Sequence, residues 1–172
     1  MGSQNSQVLI ALGSNLGDRN SHLDFAELQI EHRCGKILRR SERHETAPVG
    51  NADQYFLNSV LILSTPMNPH VLMSELLNIE QEAGRRRTLH WGNRTLDCDI
   101  LLWRNADGIM IASTEPQILI PHPRMLEREF VLMPASEIAG EWIHPTVGIT
   151  MAEAWRQAKT RQSDSDHKSA AL

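Results

Sequence analysis

The sequence lacks several features that would each point to a particular class of protein. It has only two cysteines in 172 residues, too few for a disulfide framework, and this favours a reducing compartment. No apolar run approaches the roughly 20 residues that cross a membrane, and no charged-then-apolar leader opens the chain. We therefore expect a cytoplasmic protein that has no membrane partner.

Neither sign of charge dominates, and aromatic residues are scarce. Seventeen Lys and Arg against 21 Asp and Glu give a formal net charge of −4, which argues against a generally basic nucleic-acid-binding protein. Aromatics make up 5% of the chain, so we expect a mainly aliphatic core. The composition predicts one globular domain at 8–160, with flexible termini at 1–7 and 161–172.

Hydrophobic patterning predicts alternating strands and helices. Apolar runs indicate strands at 8–12, 55–63 and 96–103, with a short hairpin partner at 109–112. A polar strand near a sheet edge is predicted at 37–46. Helical spacing predicts helices over 23–34 and 69–83, and a last helix beginning at a Thr150 and Glu153 capping box. The order β-α-β-β-α-β indicates an α+β, ferredoxin-like sandwich. This is a mainly antiparallel sheet with helices on its faces, the first two on one face.

Two aspartates stand out in the segment 91–103. Side chains alternate along a strand, so Asp97 and Asp99 share one face, roughly 6–7 Å apart. The other face is wholly apolar, and it carries Leu96, Cys98, Ile100 and Leu102. Two carboxylates, together with phosphate oxygens and water, suit Mg²⁺. Because Asp-x-Asp is a short motif, two aspartates on a solvated strand face are the alternative.

Four arginines precede this pair within ten residues that contain no acid: Arg85, Arg86, Arg87 and Arg94. One guanidinium group can bind two phosphate oxygens at once, and it stays positively charged at working pH. This cluster therefore suits a polyphosphate substrate. A solvated basic segment that complements the end of a helix is the alternative. The arginines and the carboxylates together favour phosphoryl transfer with Mg²⁺.

Further candidates are weaker when each is taken alone. Phe56 and Asn58 share one face of a strand and would suit a flat heterocycle, although a core Phe beside a satisfied polar residue is the alternative. Glu80 borders an apolar helix stripe and could bind a nucleotide, or it could be a surface acid. The glycines and polar residues of segment 13–18 are interpreted as turn residues.

The motifs together resemble the 6-hydroxymethyl-7,8-dihydropterin pyrophosphokinase family of folate biosynthesis. They run in the family's order over about residues 8–155. The matching pieces are Ala11-Leu-Gly-Ser-Asn-Leu-Gly17, Thr46-Ala-Pro-Val-Gly50, Tyr55-Phe-Leu-Asn58, Ile79-Glu80, Gly84-Arg85, Trp91-Gly-Asn-Arg-Thr-Leu-Asp-Cys-Asp-Ile100, Ile120-Pro-His122 and Arg128-Glu-Phe130.

The resemblance implies transfer of pyrophosphate from ATP to the pterin's hydroxymethyl oxygen, with two Mg²⁺ ions and AMP as the second product. It implies catalytic roles for Arg85, Arg94, Asp97 and Asp99, the two aspartates also holding Mg²⁺. On the nucleotide side it places Glu80, Arg87, Ile100, His122 and Arg128. On the pterin side it places Thr46, Pro48, Val49, Phe56, Asn58, Trp91 and Phe130.

Three other interpretations stay open at this point. One is a ferredoxin-like RNA-binding module, although the chain has few aromatics and no RNP-like run. A second is another Mg²⁺-dependent nucleotidyl, phosphoryl or glycosyl transferase that uses the same Asp-x-Asp, and a third is a catalytically silent paralogue. We expect ATP and the pterin as ligands, no nucleic-acid partner, and a monomer.

Overall fold

The computed structural model describes residues 5–48, 50–84 and 94–169. Strands in these ranges are β1 (Ser6–Ser14), β2 (Lys36–Arg40), β3 (His44–Thr46), β4 (Phe56–Thr65), β5 (Asp97–Arg104), β6 (Met110–Ile111), β7 (Ser113–Glu115) and β8 (Ile118–Ile120). Helices are α1 (Arg19–Arg33), α2 (Pro69–Glu82), α3 (Glu129–Ala139) and α4 (Met151–Ser169), with a short 3-10 turn at Met125–Glu127.

The main sheet is antiparallel, with the strand order β2-β4-β1-β5-β6. This order confirms the predicted ferredoxin-like arrangement. The predicted strand at 37–46 is instead two strands, β2 at the sheet edge and β3, and both pair with β4. The break occurs at Ser41, whose hydroxyl oxygen accepts the Val60 N–H at 2.9 Å. β7 and β8 form a separate two-stranded ribbon.

Helices α1 and α2 pack on one face of the sheet. Asp18 caps α1 by accepting the Ser21 N–H at 3.0 Å, and Asn68 caps α2 by accepting the Val71 N–H at 3.0 Å. Between these helices and the sheet lies a mainly aliphatic cluster that includes both cysteines, Cys34 and Cys98. Full burial of each Leu or Ile there stabilises the fold by about 2 kcal/mol.

Helices α3 and α4 cover the opposite face. The sequence did not predict α3, because it lies in a Pro-rich segment and contains Pro134, which cannot donate a helical hydrogen bond. Its apolar side packs on the sheet through residues such as Leu132 and Ala135, and this packing outweighs the poor local propensity.

Helix α4 begins at the predicted capping box. The Glu153 N–H donates to Thr150 Oγ1 at 3.2 Å, and the Thr150 N–H donates to the Glu153 carboxylate at 2.9 Å. The helix continues to Ser169, whereas the composition predicted a frayed tail from residue 161. None of the described helices is long and apolar enough to cross a membrane.

A β-bulge in β5 overturns one prediction about the apolar strand face. Leu9 of β1 lies opposite Leu102 and Ile10 lies opposite Ile100, so Leu101 is an extra residue in β5. Leu101 and Leu102 therefore both pack beneath α3 and α4, and the placement of Leu102 with Cys98 is wrong. Asp97 and Asp99 precede the bulge and keep the predicted alternation.

Candidate active site

Helices α3 and α4 cover only part of their face of the sheet, and a cavity lies beside them. On β4, Val60 packs under the helices, whereas Phe56 and Asn58 on the same face line the cavity. The cavity has a volume of about 500 Å³. Its lining comprises Ala11, Leu12, Gly13, Thr46, Phe56, Asn58, Ser59, Arg94, Asp97, Asp99, His122, Arg124, Glu127, Arg128, Phe130 and Val131.

The structure brings together nine of the sixteen residues that the sequence analysis selected. They are Thr46, Phe56, Asn58, Arg94, Asp97, Asp99, His122, Arg128 and Phe130. Four others, Val49, Arg85, Arg87 and Trp91, lie outside the described residues. The remaining three, Pro48, Glu80 and Ile100, are described but do not line the cavity.

Asp97 forms an ion pair with Arg94, whose Nη1 lies 2.8 Å from the carboxylate Oδ2. The backbone of Arg94 is held by Asn15, which is 1% exposed. Asn15 Oδ1 accepts the Arg94 N–H at 2.6 Å, and the Asn15 N–H donates to the Arg94 carbonyl at 3.0 Å. Sequence reasoning interpreted Asn15 as a turn residue. In the structure Asn15 also connects the end of β1 to the segment that leads into β5, the strand that carries Asp97 and Asp99.

Asp99 faces two basic side chains. Its Oδ2 lies 3.8 Å from Arg128 Nη1 and 4.0 Å from His122 Nε2. Burial, together with the nearby positive charge of Arg128, lowers the pKa of His122 to about 4, so the imidazole is neutral at pH 7. Its Nδ1 accepts the Arg124 N–H at 3.2 Å, and this assigns the ring proton to Nε2, on the side of Asp99.

The other end of the cavity suits a flat polar ring. Asn58 is nearly buried, and its Nδ2 donates to Thr46 Oγ1 at 2.7 Å, which fixes the orientation of the amide. Phe56 lies two residues away on the same face, and Phe130 enters from the first turn of α3. This end therefore offers aromatic surface and an oriented amide within one cavity.

Seven lining residues were not selected from the sequence as site residues: Ala11, Leu12, Gly13, Ser59, Arg124, Glu127 and Val131. Three of them, Gly13, Arg124 and Glu127, bear on the chemistry of the cavity. Gly13 lies opposite both Asn58 and Asp97 in the sheet, between the two ends of the cavity. A glycine at the end of a buried strand was the available signal. Arg124 and Glu127 follow His122 in the 3-10 turn, and their side chains form an ion pair at 3.4 Å. Arg124 and Glu127 belong to no sequence motif that would mark them as site residues.

Glu80 and Ile100 lie on the side of β5 that faces α1 and α2, away from the cavity. Each is 2% exposed, and Ile100 packs in the aliphatic cluster beneath α1 and α2. Glu80 Oε1 accepts the Cys98 N–H at 2.7 Å. Nucleotide contact by these two residues stays a prediction.

The carboxylates of the cavity suit a cation that binds together with a phosphate-containing substrate. Within 5–48, 50–84 and 94–169, no group of three or more His, Cys, Asp or Glu side chains could hold a metal ion. Asp97 and Asp99 offer two carboxylates that face the cavity. Mg²⁺ commonly binds through one or two carboxylates and takes its other ligands from substrate phosphates and water, so the pair fits this ion.

Comparison with known proteins identifies the family. Residues 9–140 match the model of 7,8-dihydro-6-hydroxymethylpterin-pyrophosphokinase. The chain belongs to this family. A 2-amino-4-hydroxy-6-hydroxymethyldihydropteridine pyrophosphokinase of Bacillus subtilis is 46% identical over 136 residues, which cover 78% of each chain. The family and the pyrophosphokinase class predicted from the sequence are therefore confirmed, in preference to an RNA-binding module or another transferase.

Two longer proteins contain a similar region. The folic acid synthesis protein fol1 of Pneumocystis carinii is 38% identical over 149 residues, which cover 86% of this chain and 20% of that protein. The crystal structure of HPPK-DHPS in complex with substrates superposes with a TM-score of 0.72 at 13% identity, covering 95% of this chain and 45% of that chain. The pyrophosphokinase chain thus spans less than half of either protein, and the structural likeness confirms its fold.

Proposed function

We propose that this chain transfers the β,γ-pyrophosphoryl group of ATP to the hydroxymethyl oxygen of 6-hydroxymethyl-7,8-dihydropterin, a step of folate biosynthesis. The observation that carries the proposal is the shared register of Asn58 and Asp97, which both lie opposite Gly13. Two strand spacings, about 10 Å, separate them across the sheet. A pterin held at Asn58 would therefore present its hydroxymethyl group toward phosphates held at Asp97.

The proposed pterin site uses Phe56, Phe130 and Asn58. The rings would pack on the flat heterocycle, which suits their positions in the cavity. Because the Asn58 amide already donates one N–H to Thr46, its carbonyl oxygen and second N–H stay oriented for the ligand. We extend this site to Pro48, Val49 and Trp91 on the basis of the family resemblance.

The proposed phosphate site uses Asp97 and Asp99 with Arg94 and Arg128. The two carboxylates would hold Mg²⁺, which supplies charge neutralisation and polarises phosphoryl oxygens. Arg94 and Arg128, already beside the carboxylates, would bind the phosphate oxygens as negative charge moves onto the leaving group. Arg85 and Arg87 would assist at the triphosphate, and Ile100 and His122 at the nucleotide, by resemblance. The resemblance also implies nucleotide contact for Glu80, which its buried position on the face of β5 away from the cavity does not favour.

The proposed reaction is a direct displacement. A bond forms between the hydroxymethyl oxygen and the β-phosphorus, while the bond from that phosphorus to the α,β-bridging oxygen breaks. The hydroxymethyl proton leaves to solvent, and AMP departs with the bridging oxygen. The chain contributes alignment and charge stabilisation, and no covalent protein intermediate is needed.

We also propose that the protein works as a cytoplasmic monomer without a nucleic-acid partner. Cys34 and Cys98 form no disulfide and are both buried, which suits a reducing compartment. Burial raises the pKa of the Cys34 thiol to about 11, so it is not a reactive thiolate.

An assay of AMP formation tests the proposal. Purified protein should form AMP only when ATP, the hydroxymethyl-dihydropterin and Mg²⁺ are all present. Asp97→Asn should reduce kcat by at least about 100-fold, because a neutral amide replaces a charged ligand. Asp107→Asn, in the exposed turn between β5 and β6, is the matched control and should retain full activity. Full activity of Asp97→Asn would overturn the proposal.

A further inference from the structure

Glu80 is a buried carboxylate on the side of the sheet away from the cavity. It lies on the face of α2 that also carries Leu72, Leu76 and Ile79, and it is 2% exposed. Burial of a carboxylate costs several kcal/mol unless hydrogen bonds compensate. Its position therefore calls for a specific partner, and the Cys98 N–H is one, at 2.7 Å from Oε1.

The Cys98 N–H faces the side of β5 on which, in the part of the chain that the structure describes, a neighbouring strand pairs only with the end of β5. On one side, β5 pairs with β1 along its length, from Asp97 to Arg104. On the other side, within the described residues, β6 pairs only with Trp103 and Arg104. Successive N–H groups of an antiparallel strand point alternately to its two neighbours. Glu80 therefore provides, at Cys98, the acceptor that a neighbouring strand would otherwise provide.

Cys98 lies between the two aspartates that face the cavity. Its side chain points into the aliphatic cluster, while Asp97 and Asp99 project from the opposite face of the same strand. The hydrogen bond from the Cys98 N–H to Glu80 thus holds the peptide segment that joins the two carboxylates. Since α2 is packed on the sheet, this bond connects the aspartates to a rigid helix.

We propose that Glu80 is a positioning residue, which sets the spacing and orientation of Asp97 and Asp99 through the Cys98 N–H. This inference rests on the proposed function, because it assumes that the two aspartates hold Mg²⁺ together with ATP. It differs from the direct nucleotide contact that the family resemblance implies for Glu80. A side chain 2% exposed on the far side of β5 acts through the strand. Groups that orient metal ligands typically change metal affinity 10- to 100-fold when removed.

The test compares Glu80→Leu, Glu80→Gln and Leu76→Ala. Gln keeps an acceptor oxygen for the Cys98 N–H, whereas Leu removes it. Leu76→Ala removes core packing from the same helix face, so it controls for general loosening of α2. Two quantities are measured in the complete chain. They are the Mg²⁺ concentration at half-maximal binding of α,β-methylene-ATP and the hydrogen exchange rate of the Cys98 amide.

Glu80→Leu should raise the Mg²⁺ midpoint at least tenfold and speed exchange of the Cys98 amide about tenfold or more, while pterin binding changes less than threefold. Glu80→Gln should stay within threefold of the wild type in both quantities, and Leu76→Ala should leave the Mg²⁺ midpoint unchanged. An unchanged midpoint in Glu80→Leu, or an equal shift in Leu76→Ala, would overturn the inference. A shift of tenfold or more in Glu80→Gln would do the same.

Other outcomes separate the positioning role from misfolding of the variant and from direct nucleotide contact. If Glu80→Leu does not fold, the wild-type Cys98 amide must still exchange more slowly than an exposed amide, and rapid exchange there overturns the inference. Loss of analogue binding at saturating Mg²⁺ with a protected Cys98 amide would indicate direct nucleotide contact instead. If the wild type forms no AMP although Glu80→Leu shifts the Mg²⁺ midpoint and Glu80→Gln does not, the proposed function fails and the positioning role stands.

Discussion

Gly13 and Asn58 lie directly opposite each other on β1 and β4, so closely that a Cβ atom on residue 13 would be 2.9 Å from Asn58 Oδ1. Real Cβ atoms do not approach an oxygen so closely, and Asn58 would have to turn. We expect Gly13→Ala to raise the KM for the pterin about tenfold and to leave the KM for ATP within about twofold. Steady-state kinetics with each substrate varied in turn measures both values.

A double variant shows whether this effect runs through Asn58. Asn58→Ala removes the oxygen that the new methyl group would meet. If the clash is the cause, adding Gly13→Ala to Asn58→Ala should weaken pterin binding little further, so the two effects should be far from additive. Additive losses would show that Gly13 acts in some other way.

Thr46→Val tests the fixed orientation of the Asn58 amide. Val has the shape of Thr but cannot accept the 2.7 Å hydrogen bond from Asn58 Nδ2. Loss of one such bond is worth about 0.5–1.5 kcal/mol, so the KM for the pterin should rise about 3- to 10-fold. Thr46→Ser keeps the hydroxyl and should stay near the wild-type value. Equal effects of Val and Ser would contradict this role.

Asn15→Ala tests the connection between β1 and Arg94. The variant loses the Asn15 side-chain bond to the Arg94 N–H and leaves that donor unsatisfied, so the free energy of unfolding should fall by about 1–3 kcal/mol. Because Arg94 is then less well held beside Asp97, kcat should also fall at least tenfold. Urea unfolding and initial rates measure the two effects.

Asn20→Ala is the control for this prediction. Asn20 is exposed on α1, and its Oδ1 accepts a hydrogen bond from Arg43 Nη1 at 2.9 Å, away from the cavity. It should change kcat by less than twofold. A wild-type kcat in Asn15→Ala would show that Asn15 has only a structural role.

Arg124 extends the basic lining of the cavity beyond Arg94 and Arg128. Its side chain lines the cavity and forms an ion pair with Glu127 at 3.4 Å, so it adds positive charge where the phosphates are proposed to bind. We expect Arg124→Gln to raise the KM for ATP about 3- to 10-fold, and Glu127→Gln to lower or preserve it, because an acid facing the anionic substrate is removed. Arg156→Gln on the exposed side of α4 is the charge-matched control. If it matches Arg124→Gln, the effect is one of net charge alone.

The pH dependence of stability should depend on His144. Burial lowers the pKa of this histidine below its usual value of 6.5. Below pH 6.5 the unfolded chain therefore binds a proton that the folded chain does not, and the free energy of unfolding falls as the pH falls. The contribution of one proton is at most about 1.4 kcal/mol per pH unit.

His144→Asn should make this dependence less steep between pH 6.5 and 5, where His122, whose pKa burial lowers to about 4, still contributes. Asn can still accept the Thr146 N–H that His144 Nδ1 accepts at 3.3 Å, so the loop keeps its local hydrogen bond. Urea unfolding at several pH values gives the slope. The curves of wild type and variant should run parallel above pH 7.5. An unchanged slope below pH 6.5 in the variant would contradict the prediction.

Alternation and capping were sufficient to predict most of the fold and to place Asp97 with Asp99 on one strand face and Phe56 with Asn58 on another. Asp97 and Asp99 share a face because side chains alternate along β5, and Asn68 and Thr150 mark helix starts through bonds to nearby backbone groups. Such local patterns predict local structure. The bulge at Leu101 depends on pairing with β1, which no local pattern encodes, and so Leu102 was misplaced.

Long-range contacts account for the other differences. Helix α3 forms despite Pro134 because the sheet offers an apolar face to cover. Gly13 and Arg124 are lining residues only because the sheet and the 3-10 turn bring them to one cavity. The burial of Glu80 likewise depends on where α2 packs, which its helical spacing alone does not fix.

The most direct test of the account is ³¹P NMR of the products formed from ATP, Mg²⁺ and 6-hydroxymethyl-7,8-dihydropterin. We predict AMP and a pterin diphosphate ester in equal amounts, both formed at least about 100-fold more slowly with Asp97→Asn and at the wild-type rate with Asp107→Asn. Formation of ADP and a monophosphate ester would contradict transfer by attack at the β-phosphorus. Release of free pyrophosphate without an ester would contradict the placement of the pterin beside Asp97.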